Sequence, residues 1–261
     1  MIGISALLAV LCGGVVGFSL GLIGGGGSIL AVPLILYVVG VSDPHVAIGT
    51  SALAVSINAF ANLIGHWRAG TVKWPCATVF AAAGVAGAAI GSTLGKLVDG
   101  QRLLFLFAVV MIAVGLAMLS PRRSPSDEQV HLDARIGVRL ILVGLAAGFV
   151  SGFFGIGGGF LIVPGIMYGS GMPILNAIGS SLFSVGAFGL TTAVNYALSG
   201  FIDWWIALEF IAGGALGGYF GMKFAVALAN QKRWLTYIFV AIIFVVAAYI
   251  MLRTAGGVLP A

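Results

Sequence analysis

The sequence predicts an all-α polytopic membrane protein built from two inverted-topology repeats, each with a glycine-broken helical hairpin and about three further spans. Composition, the length of the apolar runs and an internal duplication predict it. Of the 261 residues, 61% are hydrophobic and only 7% charged, whereas soluble domains carry about a quarter charged residues. The apolar runs are continuous and lack the alternation that spanning β-strands require, so the spans are helical. Gly24–Pro33 (GGGGSILAVP) returns 131 positions later as Gly155–Pro164 (GIGGGFLIVP), with Gly17 and Phe18 matched by Gly148 and Phe149, and Tyr37 by Tyr168. After a slip of one residue, Ala47–Ser51 (AIGTS) pairs with Ala177–Ser181 (AIGSS), Gly70 with Gly200, Trp74 with Trp204 and Gly91 with Gly221. A glycine break repeated in both halves of a membrane chain points to a transport site.

Runs at about 2–23, 45–65, 74–97, 102–120, 136–154, 175–197, 203–228 and 232–252 approach or exceed the ~20 apolar residues that cross a bilayer. The first lacks a basic leading segment and an Ala-x-Ala site, so it does not read as a cleaved secretory signal. Two shorter pieces, 28–41 and 159–171, follow the glycines; at ~1.5 Å per residue they reach about two-thirds of the way across a ~30 Å core. That shortness favours a re-entrant hairpin, although charge does not separate re-entrant from fully crossing arms. The polar stretch 121–135 (PRRSPSDEQVHLDAR) divides the first repeat, 1–120, from the second, 136–261. Trp67, Trp74, Trp204, Trp205 and Trp234 cluster near span ends, as interfacial anchors do.

Charge orients the repeats. With an odd number of crossings per half, Arg68, Lys73, Arg122, Arg123, Arg135, Arg139, Lys223, Lys232 and Arg233 face one side and only Lys96, Arg102 and Arg253 the other. An even number divides the basic residues almost equally, so the inverted arrangement fits the positive-inside rule, with the linker cytoplasmic and both termini outside. The net charge of +5 is spread over span ends and forms no patch, which argues against nucleic acid as a partner. Cys12 and Cys76 show neither metal spacing nor a disulfide framework. No metal or other cofactor is expected.

The chemistry is expected at the breaks. Gly25, Gly26, Gly27 and Ser28, and Gly157, Gly158 and Gly159, place backbone N–H groups at the start of a short helix, an anion site that needs no basic side chain. Two such starts related by inversion could converge near the midplane. Behind each break runs a polar-decorated helix, with Thr50, Ser51, Ser56, Asn58 and Asn62 in the first half and Ser180, Ser181, Ser184, Thr191, Thr192 and Asn195 in the second. Their hydroxyls and amides can donate to an oxyanion. Thr50 and Ser51 recur in register as Ser180 and Ser181, whereas Asn58 and Asn62 face Phe188 and Thr192 across the repeat, so a site they form is asymmetric. Glu209, six residues beyond Asp203 in an apolar run, is a candidate carrier for a coupling proton by the rule that intramembrane carboxylates are functional, with a structural role at the headgroup boundary as the alternative. The alternative for the glycines is close helix packing, and for the polar residues interhelical hydrogen bonding.

The Gly-rich break followed by Pro33 or Pro164, the Gly-Thr-Ser and Gly-Ser-Ser helices, and the loops Arg68–Trp74 and Ser199–Trp204 resemble the TauE/SafE sulfite exporter family of membrane permeases over nearly the whole chain. The resemblance implies a transporter in the bacterial inner membrane, carrying a small sulfur-containing or related organic anion such as sulfite, a sulfonate or sulfoacetate. Alternating access, with a proton or sodium ion as the coupling species, is the expected mode; a small-anion channel is the alternative. An enzyme is not expected, because neither a Gly-x-Ser-x-Gly elbow nor a His-Glu-x-x-His zinc motif occurs. His45 and His66, near span ends, and His131 in the linker read as loop or interface residues.

Overall fold

The computed structural model describes residues 2–119, 133–155, 159–227, 240–241 and 243–253, and its described residues are helical, without strands. Most of the linker and the first part of the last apolar run lie outside them. Among the described residues, six helices are long and apolar enough to cross a membrane. Helix α1 (Ile2–Ile23) runs into a 3₁₀ segment (Gly24–Leu30), a short α2 (Ala31–Leu34) and a π-type turn (Ile35–Val39); α3 is Pro44–Arg68, α4 Trp74–Gly95 and α5 Gly100–Leu119. The second half follows with α6 (Ala134–Phe154), α7 (Gly159–Ser170), α8 (Ile174–Ala197) and α9 (Trp204–Ala227). The elements match the expected runs to within a few residues, and each half opens with a long helix and a short arm.

Local chemistry sets the boundaries. Asp43 accepts the His45 N–H at 2.8 Å and Pro44 occupies the first turn, so α3 starts there; Asp133 accepts the Arg135 N–H at 3.0 Å and starts α6 in the same way. Gly24 ends α1 with a φ of +72° and Gly155 caps α6 at +66°, a left-handed conformation that glycine adopts without strain. The chain after Gly24 packs back along α1, so the first arm is one side of a hairpin.

The halves interlock. The most extensive helix contacts are α1 on α9 and α4 on α6, each pairing a helix of one half with a helix of the other. Both rest on glycine. A side chain at Gly13 or Gly17 would fall on the backbone of Phe210 or Gly214, and one at Gly213 or Gly217 on that of Val10 or Gly14. Gly148 against Gly84, Gly152 against Ala88 and Gly91 against Phe149 repeat the arrangement between α6 and α4. The glycine rows let the backbones touch, as small residues do where lipid supplies no hydrophobic drive for helices to associate. In both pairs the partners advance together in number (13 with 210, 17 with 214), so the helices are parallel.

The central pair, α3 and α8, runs the other way. His45 lies by Tyr196, the Ser56 hydroxyl donates to the Gly186 carbonyl at 2.7 Å, and Phe60 meets Phe183, so one number falls as the other rises. Ser56 and Gly186 are themselves equivalent in the repeat, 130 residues apart. Apolar side chains such as Leu7, Leu11, Leu142 and Leu145 point outward, while Ser28, Thr50, Asn58, Ser181 and Ser184 are buried. That polarity suits a lipid surround.

Candidate functional site

Each glycine break packs against the polar helix of the opposite half. A side chain at Gly24 would meet the Ser181 hydroxyl at 2.9 Å and Ile178 at 3.0 Å, both on α8, whereas one at Gly155 would strike Ile48 on α3. Ser181 donates to the Ile178 carbonyl at 2.8 Å and accepts the Gly25 N–H at 3.3 Å; Ser28 donates to the Gly25 carbonyl at 2.8 Å. Gly24 through Leu30 are all buried, including Gly26 and Gly27, and a side chain at Gly27 would run into the α1 backbone at Leu20. Ser51, the counterpart of Ser181, donates to the Ile48 carbonyl at 2.9 Å. Gly157 and Gly158 lie outside the described residues, and Gly159 begins α7.

The turns at Gly24 and Gly155 lie to either side of the crossing of α3 and α8. Ile178 and Ile48 each sit eight residues from the Ser56–Gly186 crossing, in opposite directions along an antiparallel pair, which places each break about 12 Å from the crossing by helical rise. The arm after Gly24 lies against α1 and against α7, the arm that follows the second break.

Thr50 and Ser180 serve a different end from Ser51 and Ser181. The Thr50 hydroxyl accepts the Asp203 N–H at 2.9 Å, and the Ser180 hydroxyl accepts the Lys73 N–H at 2.9 Å. These equivalent bonds hold each polar helix to the loop ahead of α9 or α4 and satisfy loop amides that would otherwise be buried unpaired.

Closest to the crossing lie two side chains whose polar atoms have no hydrogen-bond partner. Asn58 is wholly buried with neither amide atom paired, in a space left by the missing side chain of Gly214; the Ser184 hydroxyl is also buried and unpaired. Each is two residues from the crossing, about 3 Å by helical rise. Leaving a buried donor unsatisfied costs about 1–3 kcal/mol, so such groups call for an explanation. Asn62, one turn further, donates to the Asn58 carbonyl at 2.9 Å and lies against Gly218 and Gly21. Glu209 is partly exposed on α9, and among the described residues no hydrogen bond or ion pair is found for it.

Two features escaped the sequence reading. Lys96 donates to the Asn195 carbonyl at 3.0 Å, its side-chain oxygen at 2.7 Å and the Ser199 hydroxyl at 2.8 Å, while Asn195 donates to Ser92 and Thr93. This clasp joins the ends of α4 and α8 beside an open cleft of about 570 Å³ that includes Asp43, His45 and Asp99. His66 is buried, with its two ring nitrogens 3.1 Å from the Thr71 hydroxyl and 3.3 Å from the Gly21 carbonyl. The signal for it was present: Asn58, Asn62 and His66 recur every four residues and share one face of α3.

Similarity to known proteins agrees with this architecture. A "Probable membrane transporter protein" of Xylella fastidiosa (strain 9a5c) is 52% identical over 96% of both chains. The "Probable membrane transporter protein YunE" of Bacillus subtilis (strain 168) is 27% identical over 87% of this chain and 89% of its own. The "Probable membrane transporter protein MJ0441" of Methanocaldococcus jannaschii is 30% identical over 71% and 68%. No solved structure matches the chain. The family model described as "Sulfite exporter TauE/SafE" spans residues 9–250, and with that span, the glycine-broken repeats and the six membrane-length helices among the described residues, the chain belongs to the TauE/SafE family.

Proposed function

We propose that the chain is a secondary transporter of a small sulfur-containing or related organic anion of the sulfite, sulfonate or sulfoacetate type, working by alternating access in the bacterial inner membrane. The observation that carries the reading is the pair of unpaired neutral groups, the Asn58 amide and the Ser184 hydroxyl, buried at the level where the halves cross. Neutral donors suit an oxyanion that has to be released again, because they stabilise its charge without a salt bridge to break. In this reading Ser28, Ser51, Asn62, Ser181 and the glycines Gly25, Gly26, Gly27, Gly157, Gly158 and Gly159 are further candidate contacts for the anion, and Thr50 and Ser180 brace their helices against the loops. The antiparallel α3 and α8, equivalent in the repeat and touching at Ser56 and Gly186, support the inverted relation, and the distribution of basic residues supports a cytoplasmic linker.

The test is flux in proteoliposomes with sulfite, sulfonates, thiosulfate and carboxylates under imposed proton and sodium gradients. Accumulation of one anion against its own gradient is expected; purely downhill flux indicates the channel alternative, and no flux of any anion from folded protein overturns the reading. Asn58→Ala and Ser184→Ala should each raise the half-saturating anion concentration about tenfold, the equivalent of one lost charge-assisted hydrogen bond.

A further inference from the structure

Among the described residues, His66 is the only Asp, Glu, His, Lys or Arg side chain that is buried, at 1% exposure, and the transport reading leaves it unused. Its surroundings bear on its protonation. Nε2 lies 3.3 Å from the Gly21 carbonyl, which only accepts. Nδ1 lies 3.1 Å from the Thr71 hydroxyl oxygen, and that hydroxyl is placed to donate its one proton to the His66 carbonyl at 3.0 Å. Both ring nitrogens therefore face acceptors. An imidazolium satisfies both at once, whereas a neutral ring satisfies both only when the Thr71 hydroxyl turns from the His66 carbonyl to donate to Nδ1.

We propose that His66 is the binding site of the coupling proton. The inference deepens the transport reading and rests on it. Uptake of one proton converts the imidazole to imidazolium, with Nε2–H held by Gly21 and Nδ1–H by Thr71; release frees the Thr71 hydroxyl to swing onto the ring or breaks the bond to Gly21. Both tethers lead to joins of the fold. Gly21 lies three residues before the break at Gly24, and the Thr71 carbonyl accepts the Asn176 side-chain N–H at 3.2 Å from α8 of the other half. The charged groups at this end are Arg68 on α3 itself, Lys73 in the loop and Lys223 on α9, whose ammonium lies over the Tyr219 ring. Helix α1 carries no charge, nor does α8. Burial of the ring and the cations nearby favour release while the paired acceptors favour uptake, opposing influences that let the proton come and go. Glu209 sits nine residues before Gly218, the α9 residue beside Asn62, about 14 Å back along that helix, and is not part of this cluster.

The experiment has two arms. In full-length protein labelled with ¹⁵N-histidine, whose three histidines are assigned with His45→Gln and His131→Gln, the His66 nitrogens should both become hydrogen-bonded donors as pH falls from 8 to 5. Thr71→Val, which removes one acceptor, should lower the midpoint by about one pH unit. A ring that stays in one neutral tautomer throughout overturns the proposal without any transported anion being involved. In proteoliposomes, His66→Gln should lose the pH dependence of anion flux; a wild-type pH profile in that variant overturns it equally. If wild-type protein carries no anion while His66 titrates as described, it is the transport reading that fails.

Discussion

At the residue scale two glycines show how differently a position can be crowded. Gly24 and Gly40 both have positive φ, yet a side chain at Gly24 meets Ser181 and Ile178, and one at Gly40 meets nothing within 4 Å. Gly40→Ala should therefore show the backbone penalty alone, about 1–2 kcal/mol, while Gly24→Ala adds a clash with α8 and should unfold at a clearly lower temperature in detergent. Equal melting temperatures for the two variants would mean that the Gly24 contact contributes nothing. Thr50 and Ser51, recognised as a repeated pair, proved to divide their labour, and nothing in a dipeptide says which hydroxyl will meet a loop amide. His66 was passed over for a related reason, since its burial depends on Gly21 and Thr71, which only the fold brings beside it.

At the scale of elements, the sequence shows the helices and their pairing in the repeat, because apolar length and duplicated motifs are local properties. It does not show which half covers which break. Within a repeat α3 follows the first break directly, yet α8 is the helix that meets Gly24; partner choice is settled by long-range packing, which periodicity does not encode. The glycine rows of α1, α4, α6 and α9 carry that packing. Gly17→Leu and Gly148→Leu, which drive a side chain into the backbones of Gly214 and Gly84, should each abolish a monodisperse peak in fluorescence size-exclusion chromatography. Gly3→Leu is the control, since a side chain there meets nothing within 4 Å, and its profile should match the wild type.

For the whole molecule, the proposed orientation separates two hydrophilic ends. Ser42, exposed ahead of α3, belongs to the side of Lys96 and the open cleft, and the linker to the other. With Cys12 and Cys76 buried, single added cysteines report sidedness. An impermeant maleimide applied to spheroplasts should label Ser42→Cys and spare Ser126→Cys, and inverted vesicles should give the opposite result. Labelling of both positions from one side would refute the inverted arrangement.

The bond between Ser56 and Gly186 carries a consequence about descent. A residue on a twofold axis meets its own duplicate, so while the two halves are copies, as in a pair of identical subunits, that position cannot change on one face without changing on the other. Joining the copies in one chain lifts the constraint. Here the two have parted, a hydroxyl on one side and bare backbone on the other, and neighbouring positions have followed, Asn58 against Phe188 and His66 against Tyr196. In the proposed inverted arrangement, joining the copies in one chain lets a symmetric contact become polarised, and the proposed carrier, its two faces unlike, can bind and release on unequal terms.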